Sequence, residues 1–506
     1  MSAPASETPM QRERARTIFE KSKPGRRAAV LPDPGVPERP LTELIPAKLL
    51  RPEPPRLPEI AEPEIVRHYN RLSRRNFDLD TGLYPLGSCT MKHNPRLNER
   101  VAALPGHARL HPAQDPKRAQ GALELMWLLQ RSLGEICGLP HVSLQPSAGS
   151  HGELAGLLLT RAYHADRGER RTKVLAPDTS HGTNPASVTM AGYEVVKVAT
   201  NERGGVEMDD LRAKVSEEVA CLMLTNPNTL GLFDENIAEI AGLIHEAGGT
   251  LYYDGANLNA VMGHSRPGDM GFDIVHVNLH KSFSQPHGGG GPGAGPIAVS
   301  DRIEPYLPRP QVVRRKGENG HGPFYDLDYE RPKSIGRLRG FQGNFGVFVR
   351  SYAYILSLGA DGLAEASETA VLNANYLKAR LAEGRAGERL PVAFDRHCMH
   401  EFVLSGKPMK KELGIATLDL AKRLLDFGFH PPTVYFPLLV EEALMVEPTE
   451  TETKESLDAF ADAVERILAE AESDPEIAKQ APYTTPVRRL DEVRATRRPV
   501  VRQPLP

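Results

Sequence analysis

Val275-His-Val-Asn-Leu-His280-Lys281-Ser-Phe-Ser-Gln-Pro-His287-Gly-Gly-Gly-Gly-Pro-Gly-Ala-Gly-Pro-Ile-Ala-Val299 decides the fold. A short apolar strand ends, a single lysine follows, and a glycine-rich turn leads into a second apolar strand. Short strands that are apolar throughout belong to a sheet covered on both faces. A lysine at the end of such a strand is partly desolvated. Desolvation disfavours the ammonium and leaves a better nucleophile, which condensation with a carbonyl requires. The same pattern fits a surface lysine beside a loop. A phosphate-loop NTPase fits poorly, because here the lysine precedes the glycines.

Four segments upstream carry further chemistry. Thr250-Leu-Tyr-Tyr-Asp254-Gly-Ala-Asn257-Leu-Asn259-Ala260 brings Asp254 to the carboxyl end of another apolar strand. Ligands of open α/β sheets bind at that edge. A buried carboxylate there needs a cationic partner, and a protonated pyridine nitrogen is one. The alternative is an acid that caps the next helix. Gln145-Pro-Ser-Ala148-Gly149-Ser150-His151-Gly-Glu153 places small residues at the start of an amphipathic helix. Free N–H groups and the helix dipole suit a phosphate there, or serve an ordinary cap. Asp178-Thr-Ser-His181-Gly-Thr-Asn-Pro-Ala-Ser187 is a polar loop after a strand. His181 in it suits stacking on an aromatic ring or handling a proton, or simply completes the loop. Leu224-Thr225-Asn-Pro-Asn228-Thr229-Leu-Gly231 is a further turn of the same kind.

Periodicity supplies the frame. It predicts strands at 174–176, 194–198, 221–224, 251–253, 274–277 and 297–299, among helices at 119–137, 153–163, 209–217 and 237–247. These make a large α/β domain over 65–355. A smaller α/β domain over 356–480 is expected from helices at 364–383, 417–427 and 454–472 and a strand near 401–404. Residues 1–64 are crowded with proline and predict an extended arm, free or laid over a partner subunit. Residues 481–506 form a tail rich in proline and arginine.

Composition excludes several classes. Of 506 residues, 40% are hydrophobic and 25% charged, ordinary for a globular protein. Lys plus Arg is 62 against 65 Asp plus Glu, a net charge of −3, so no basic field attracts nucleic acid. No stretch reaches the ~20 apolar residues of a membrane span. The first residues lack the apolar core of a secretory signal, so a cytoplasmic location is expected. The 4 cysteines form no CxxC pair, which argues against a disulfide framework and a cysteine-rich zinc site; no metal is expected.

The order of these segments is the layout of fold-type-I pyridoxal-phosphate enzymes, the aspartate-aminotransferase-like class. That class implies a large, mostly parallel sheet domain plus a smaller C-terminal α/β domain. More specifically, Tyr84-Pro-Leu-Gly-Ser88-Cys89-Thr90-Met-Lys92, His181-Gly-Thr-Asn-Pro-Ala-Ser187, the Asp254 segment and the Lys281 segment resemble the glycine dehydrogenase (decarboxylating) family. That family is the P-protein of the glycine cleavage system, and the resemblance is to subunit 2 of its two-subunit bacterial form.

The resemblance implies a function. Such a protein uses pyridoxal 5'-phosphate to decarboxylate glycine, releases CO2, and passes the aminomethyl group to the lipoyl arm of H-protein. It implies a subunit 1 partner and an α2β2 heterotetramer. Lys281 would hold the coenzyme as a Schiff base, Asp254 would pair with the pyridine nitrogen, and His181 would stack on the ring. These three are the catalytic candidates. Ala148, Gly149 and Ser150 would cradle the phosphate, with Thr225, Asn228, Thr229 and His280 near the coenzyme. Ser88, Cys89 and Thr90 would face the site. Arg337, Arg339 and Asn344 are candidates for the neighbourhood of the substrate carboxylate. This chain departs from the family's usual Asn-Ser-Gly-Ala-Gln-Gly run with Ser-Ala-Gly-Ser-His-Gly, so His151 replaces a glutamine. The residues alone leave open another fold-type-I enzyme, such as an aminotransferase, or a scaffold for a partner subunit.

Overall fold

Every position of β4 (Val219–Leu224) and β5 (Thr250–Gly255) is buried, which requires cover on both faces of their sheet. The strand period of two divides the work between those faces. Leu175, Leu222, Tyr253 and Val275 point to one side, where they pack with Leu129, Leu133, Ile240 and Phe348. Their chain neighbours Val174, Cys221, Met223, Tyr252 and Ile274 point to the other, against Leu157, Leu159 and Val188. Each such leucine stabilises the fold by roughly 1.5–3 kcal/mol relative to exposure.

The other strands of this seven-stranded sheet are β1 (His141–Ser143), β2 (Lys173–Pro177), β3 (Glu194–Val198), β6 (Ile274–Val277) and β7 (Ile297–Val299). Their spatial order is β1-β7-β6-β5-β4-β2-β3. The run from β6 to β3 is parallel, whereas β7 pairs antiparallel with both β6 and β1. All six predicted strands are present. β1 lay outside the sequence reading because three residues are too few to show a period. The computed structural model describes residues 15–287, 293–317 and 322–502. The glycine run after His287, predicted as a turn, lies outside the described residues.

The helices follow the periodicity closely. Gln120–Cys137 ends at Gly138, whose φ of 69° is the left-handed conformation that glycine adopts without strain. The Phe345–Leu381 helix starts well before the predicted 364 and carries non-helical torsions at Gly359. It therefore runs through the expected boundary at 355/356. A hairpin of β8 (Gln311–Arg315) and β9 (Phe324–Asp328) is an addition the sequence reading did not make.

The C-terminal lobe is a three-stranded antiparallel sheet in the order β10-β12-β11, from β10 (Phe402–Ser405), β11 (Thr433–Val434) and β12 (Ala443–Val446). Its core joins Leu404, Leu444 and Val446 to Leu420 on the Thr417–Asp426 helix and to Phe460, Val464 and Leu468 on Lys454–Ser473.

Two compact units are distinguished: Leu79–Lys479, which contains everything above, and Met1–Asp78 with Gln480–Pro506. In the second, the predicted arm holds short helical turns at Ile18–Lys21 and Leu41–Leu44, then a full helix at Glu62–Ser73. The expected boundary at 64 falls inside that helix. Among the described residues, no helix is long and apolar enough to cross a membrane.

Candidate active site

The parallel strands deliver their carboxyl ends to one edge. Asp254 ends β5 beside His276 of β6, its partner in the register. Thr225 follows β4, the His181 loop follows β2, and Lys281 follows β6 on the short Leu279–Ser282 helical turn. The Gly149–Asp166 helix opens toward the same edge with Ala148 as its cap. The result is a cavity of about 260 Å³. Ala148, Gly149, Ser150, His181, Thr225, Thr229, Asp254, His280 and Lys281 line it, together with Ser88, Glu153, Thr183, Ala256, Asn257 and Asn278. The sheet thus brings together nine of the ten residues named from sequence as catalytic or near the coenzyme.

The tenth, Asn228, is not among the lining residues. Its Nδ2 donates to the Gly204 carbonyl at 2.7 Å, and its Oδ1 accepts from Leu230 N at 3.0 Å and Leu232 N at 3.2 Å. Both ends of its amide are engaged in folding the turn. Arg337 and Arg339 instead stack on Tyr329 and Phe341, at 5.3 and 4.4 Å from the ring centroids. Asn344 accepts from Arg339 and donates to the Ser147 carbonyl. None of these three lines the cavity. His151 turns back to Ser147, with 3.2 Å between its Nδ1 and Ser147 N, and stays outside it as well.

Lys281 is half-buried and donates from Nζ to the Ser88 carbonyl at 2.8 Å. Asp254 is buried; its Oδ1 accepts from Ala256 N at 3.0 Å and stands 3.4 Å from His276 Nε2. His276 Nδ1 lies 2.6 Å from the Tyr252 hydroxyl, and burial pushes the imidazolium form of His276 down. The Glu153 carboxyl is pushed up to about 7, first by burial and then by the charge of Asp254. His181 is exposed at the cavity mouth, with its ring edge-on to Phe436 at 5.8 Å. Desolvation by the walls still lowers its basicity, against the pull of Asp254.

A second constellation, absent from the sequence reading, holds the Ser88–Thr90 loop. Ser88 and Thr90 have φ of 58° and 48°, unusual for residues with side chains. Two buried carboxylates fix them there. Glu401 accepts from Ser88 N at 2.6 Å and from Ser88 Oγ at 3.0 Å. Glu447 accepts from Cys89 N at 3.0 Å, Thr90 N at 2.8 Å and Thr90 Oγ1 at 2.6 Å. The buried His400 stands 3.9 Å from an oxygen of each. Burial, and then the neighbouring Glu447, hold the Glu401 carboxyl well above its ordinary range. One step on, the buried Lys92 Nζ bonds Glu450 at 2.7 Å and the Ser282 carbonyl at 2.8 Å, adjoining Lys281. The signal was present in the sequence: His400-Glu401 opens an apolar strand and Glu447 closes one, and charges so placed are buried ones.

Comparison with known proteins agrees with this geometry. A family model described as "Glycine cleavage system P-protein" matches residues 38–331, and "Glycine dehydrogenase, C-terminal domain" matches 366–484. A probable glycine dehydrogenase (decarboxylating) subunit 2 of Bacillus velezensis is 57% identical over 96% of this chain and 96% of its own length. One from Caldanaerobacter subterraneus is 56% identical over 97% of this chain and 99% of its own. A crystal structure of an inhibitor-bound glycine decarboxylase (P-protein) superposes with a TM-score of 0.71 at 22% identity, covering 84% of this chain and 94% of that one. A sphingosine-1-phosphate lyase from Burkholderia pseudomallei superposes at 0.57 with 14% identity, over 89% of this chain and 94% of its own. The fold is that of the fold-type-I pyridoxal-phosphate enzymes. Within that class, the chain belongs to the glycine dehydrogenase (decarboxylating) family, the P-proteins of the glycine cleavage system.

The cavity fits the coenzyme of that class. Thr225 Oγ1, Asn278 Oδ1 and His280 Nδ1 are buried there without a hydrogen-bond partner among the described residues. An unpaired buried polar atom costs about 1–3 kcal/mol, so a polar ligand relieves the site. A Cβ at Gly149 would lie 2.1 Å from Asn278 Oδ1, so the helix start reaches this wall only as glycine. A helix start for phosphate, a carboxylate for a ring nitrogen and an amine for a carbonyl are the donor set pyridoxal phosphate needs.

Proposed function

We propose that this chain is one subunit of an enzyme that decarboxylates glycine, releases CO2 and hands the aminomethyl group to the lipoyl arm of H-protein. The observation that carries the proposal is that Lys281 and Asp254 line one cavity with the start of the Gly149–Asp166 helix. Lys281 would hold pyridoxal phosphate covalently through its ε-amine. Asp254 would bind the pyridine nitrogen and keep it protonated. Ala148, Gly149 and Ser150 would take the phosphate, His181 the ring face, and Thr225 and His280 further polar contacts. When bound, the coenzyme supplies an electron sink for the pair released as the Cα–carboxylate bond breaks.

The chain's own groups do the rest. The Ser88 carbonyl receives the Lys281 ammonium, and that loop is anchored on Glu401 and Glu447, so the amine is held at a fixed point. Asp254 keeps its aim through Ala256 N and the adjacent His276. Lys281, once free, and His181 are both in the wall for proton transfer to the reacting carbon or sulfur. The relatives' designation as subunit 2 supports a partner subunit; in this reading that partner is a subunit 1, and the two form an α2β2 assembly in the cytoplasm.

The test is reconstitution. The chain, co-purified with subunit 1 and given pyridoxal phosphate, glycine and lipoylated H-protein, should release CO2 and load the carrier with an aminomethyl group, read by carrier mass. Amino transfer to a 2-oxo acid without carrier loading would replace this reading by an aminotransferase. Failure of the chain to develop coenzyme absorption would end it.

A further inference from the structure

Glu153 lies one helical turn inside the Gly149–Asp166 helix, in the cavity wall and 4% exposed. Its Oε1 accepts from Thr183 Oγ1 at 2.8 Å, and its Oε2 from Ser187 Oγ at 3.1 Å. Thr183 Oγ1 in turn is 2.9 Å from His181 Nδ1. A carboxyl, a hydroxyl and an imidazole therefore form one continuous chain that ends at the cavity mouth. With Nδ1 engaged, Nε2 is the nitrogen of His181 left for a group inside the cavity.

A hydroxyl carries one proton and so faces both neighbours with opposite roles. If Glu153 is ionised, Thr183 donates to it and accepts from His181 Nδ1–H, so Nε2 is bare. If Glu153 is protonated, it donates to Thr183, Thr183 donates to Nδ1, and the ring proton sits on Nε2. The Thr183 backbone N–H, 3.3 Å from Nδ1, favours this second arrangement. We propose that Glu153, acting through the Thr183 hydroxyl, stores the proton that His181 delivers into the cavity at Nε2. The inference rests on the cavity being a site of proton-coupled chemistry.

The balance is simple. The Nε2–H bond breaks as its proton passes to an acceptor in the cavity. The Thr183 proton moves to Nδ1, and the Glu153 proton moves to Thr183 Oγ1. One proton leaves, the negative charge appears on Glu153, and the imidazole is neutral before and after. Reprotonation from solvent at the exposed ring resets the chain.

The surroundings suit this exchange. Desolvation lowers the basicity of the imidazole and so favours its neutral form. Burial and then Asp254 bring the Glu153 carboxyl close to that range. The charged or titratable groups facing the pair are Asp254 and Tyr252 of β5, His276 of β6, and Lys281 beyond it. Asp254 raises the cost of a second negative charge, and Lys281 lowers it.

The test reads the tautomer in the full-length chain with neither coenzyme nor partner, so it stands apart from the decarboxylase reading. With nitrogen-15 histidine labelling, His181→Gln identifies the His181 signals. From about pH 6 to about pH 9, Nδ1 should change from a bare nitrogen to N–H as Glu153 ionises. Thr183→Ser keeps the hydroxyl and should keep this change. Thr183→Val and Glu153→Gln should each give a tautomer that no longer follows pH. In the assembled enzyme, Thr183→Val should lower turnover about tenfold or more and flatten the alkaline limb of its pH profile, where Glu153 loses the stored proton, with Thr183→Ser restoring both. A His181 tautomer constant with pH in the unmodified chain, or a pH-dependent one in Thr183→Val, overturns the proposal.

Discussion

The two walls of the active site are built on opposite plans. The sheet edge offers polar atoms with nothing to bind: Thr225 Oγ1, Asn278 Oδ1 and His280 Nδ1 are all buried and unmet among the described residues. The facing anchor is saturated, because both oxygens of Glu401 and of Glu447 already accept hydrogen bonds. The first wall is arranged for a ligand. The second is arranged for geometry, holding Ser88 and Thr90 in left-handed backbone that costs of order 1–3 kcal/mol each. Substitution should therefore separate them: the sheet edge through chemistry with little loss of stability, the anchor through stability first.

The largest effect expected is at the sheet edge. Lys281→Ala should lower decarboxylation by about a thousand-fold or more. Borohydride treatment followed by peptide mass should find coenzyme attached to the original chain and none to the variant. Urea unfolding of the variant without coenzyme should match the original, since among the described residues Lys281 makes one hydrogen bond, to Ser88 O. A variant as unstable as an anchor variant would erase the distinction between the walls.

Glu153 should show a pH effect of known sign. Its folded carboxyl, at about 7 against an ordinary 4.5, binds more protons than the unfolded chain between those values. Its contribution to stability is thus at its best below 4.5 and declines as pH rises to about 7. The full penalty above that is on the order of 3 kcal/mol. Glu153→Gln removes the titration, so its stability relative to the unmodified chain should rise between about pH 5 and about pH 8. Urea midpoints at the two values measure it, and a constant difference would assign Glu153 to the saturated wall instead.

How much of this was legible depended on whether a residue's partners lay near it in sequence. Lys281, Asp254, His181 and the helix start each sit at the end of a strand or the start of a helix that periodicity reveals. Parallel topology then carries those ends to one edge, so reading elements was enough to collect them. Glu401 and Glu447 act on Ser88 and Thr90 from more than 300 positions away. Only tertiary pairing shows that contact, although a glutamate at the end of a buried strand already asked for a partner. Asn228 shows a related ambiguity. An Asn-Pro turn after a strand offers the same residue types whether they face a ligand or the turn's own backbone.

Within the anchor, the two carboxylates should differ. Burial and then Glu447 push the Glu401 carboxyl well above its ordinary range, which favours its neutral form, and Glu401→Gln keeps a neutral group of the same shape. A cost under about 1 kcal/mol is expected. Glu447 receives two backbone N–H groups on a single oxygen, and an amide nitrogen placed there would oppose them. Glu447→Gln should cost about 2 kcal/mol by urea unfolding, since hydrogen bonds to charged groups are worth about 1.5–3 kcal/mol. Equal costs would mean that burial does not favour the neutral form of Glu401 over that of Glu447.

A comparably small effect is expected at Asn228, whose side chain shapes its own turn. Asn228 shapes the turn through Leu230 N, Leu232 N and the Gly204 carbonyl. Asn228→Ala leaves those groups unmet, and partial relaxation of the turn keeps the loss near 1 kcal/mol. Thr225→Ala on the same turn makes the opposite case, because its hydroxyl is already without a partner. That variant should be as stable as the unmodified chain or slightly more so, yet bind pyridoxal phosphate more weakly by about tenfold, one charge-assisted hydrogen bond. Titrating both variants with the coenzyme by absorbance, beside their urea curves, sets stability against affinity at two positions of one loop. Coenzyme affinity lost in Asn228→Ala and kept in Thr225→Ala would move the ligand to the other side of the turn.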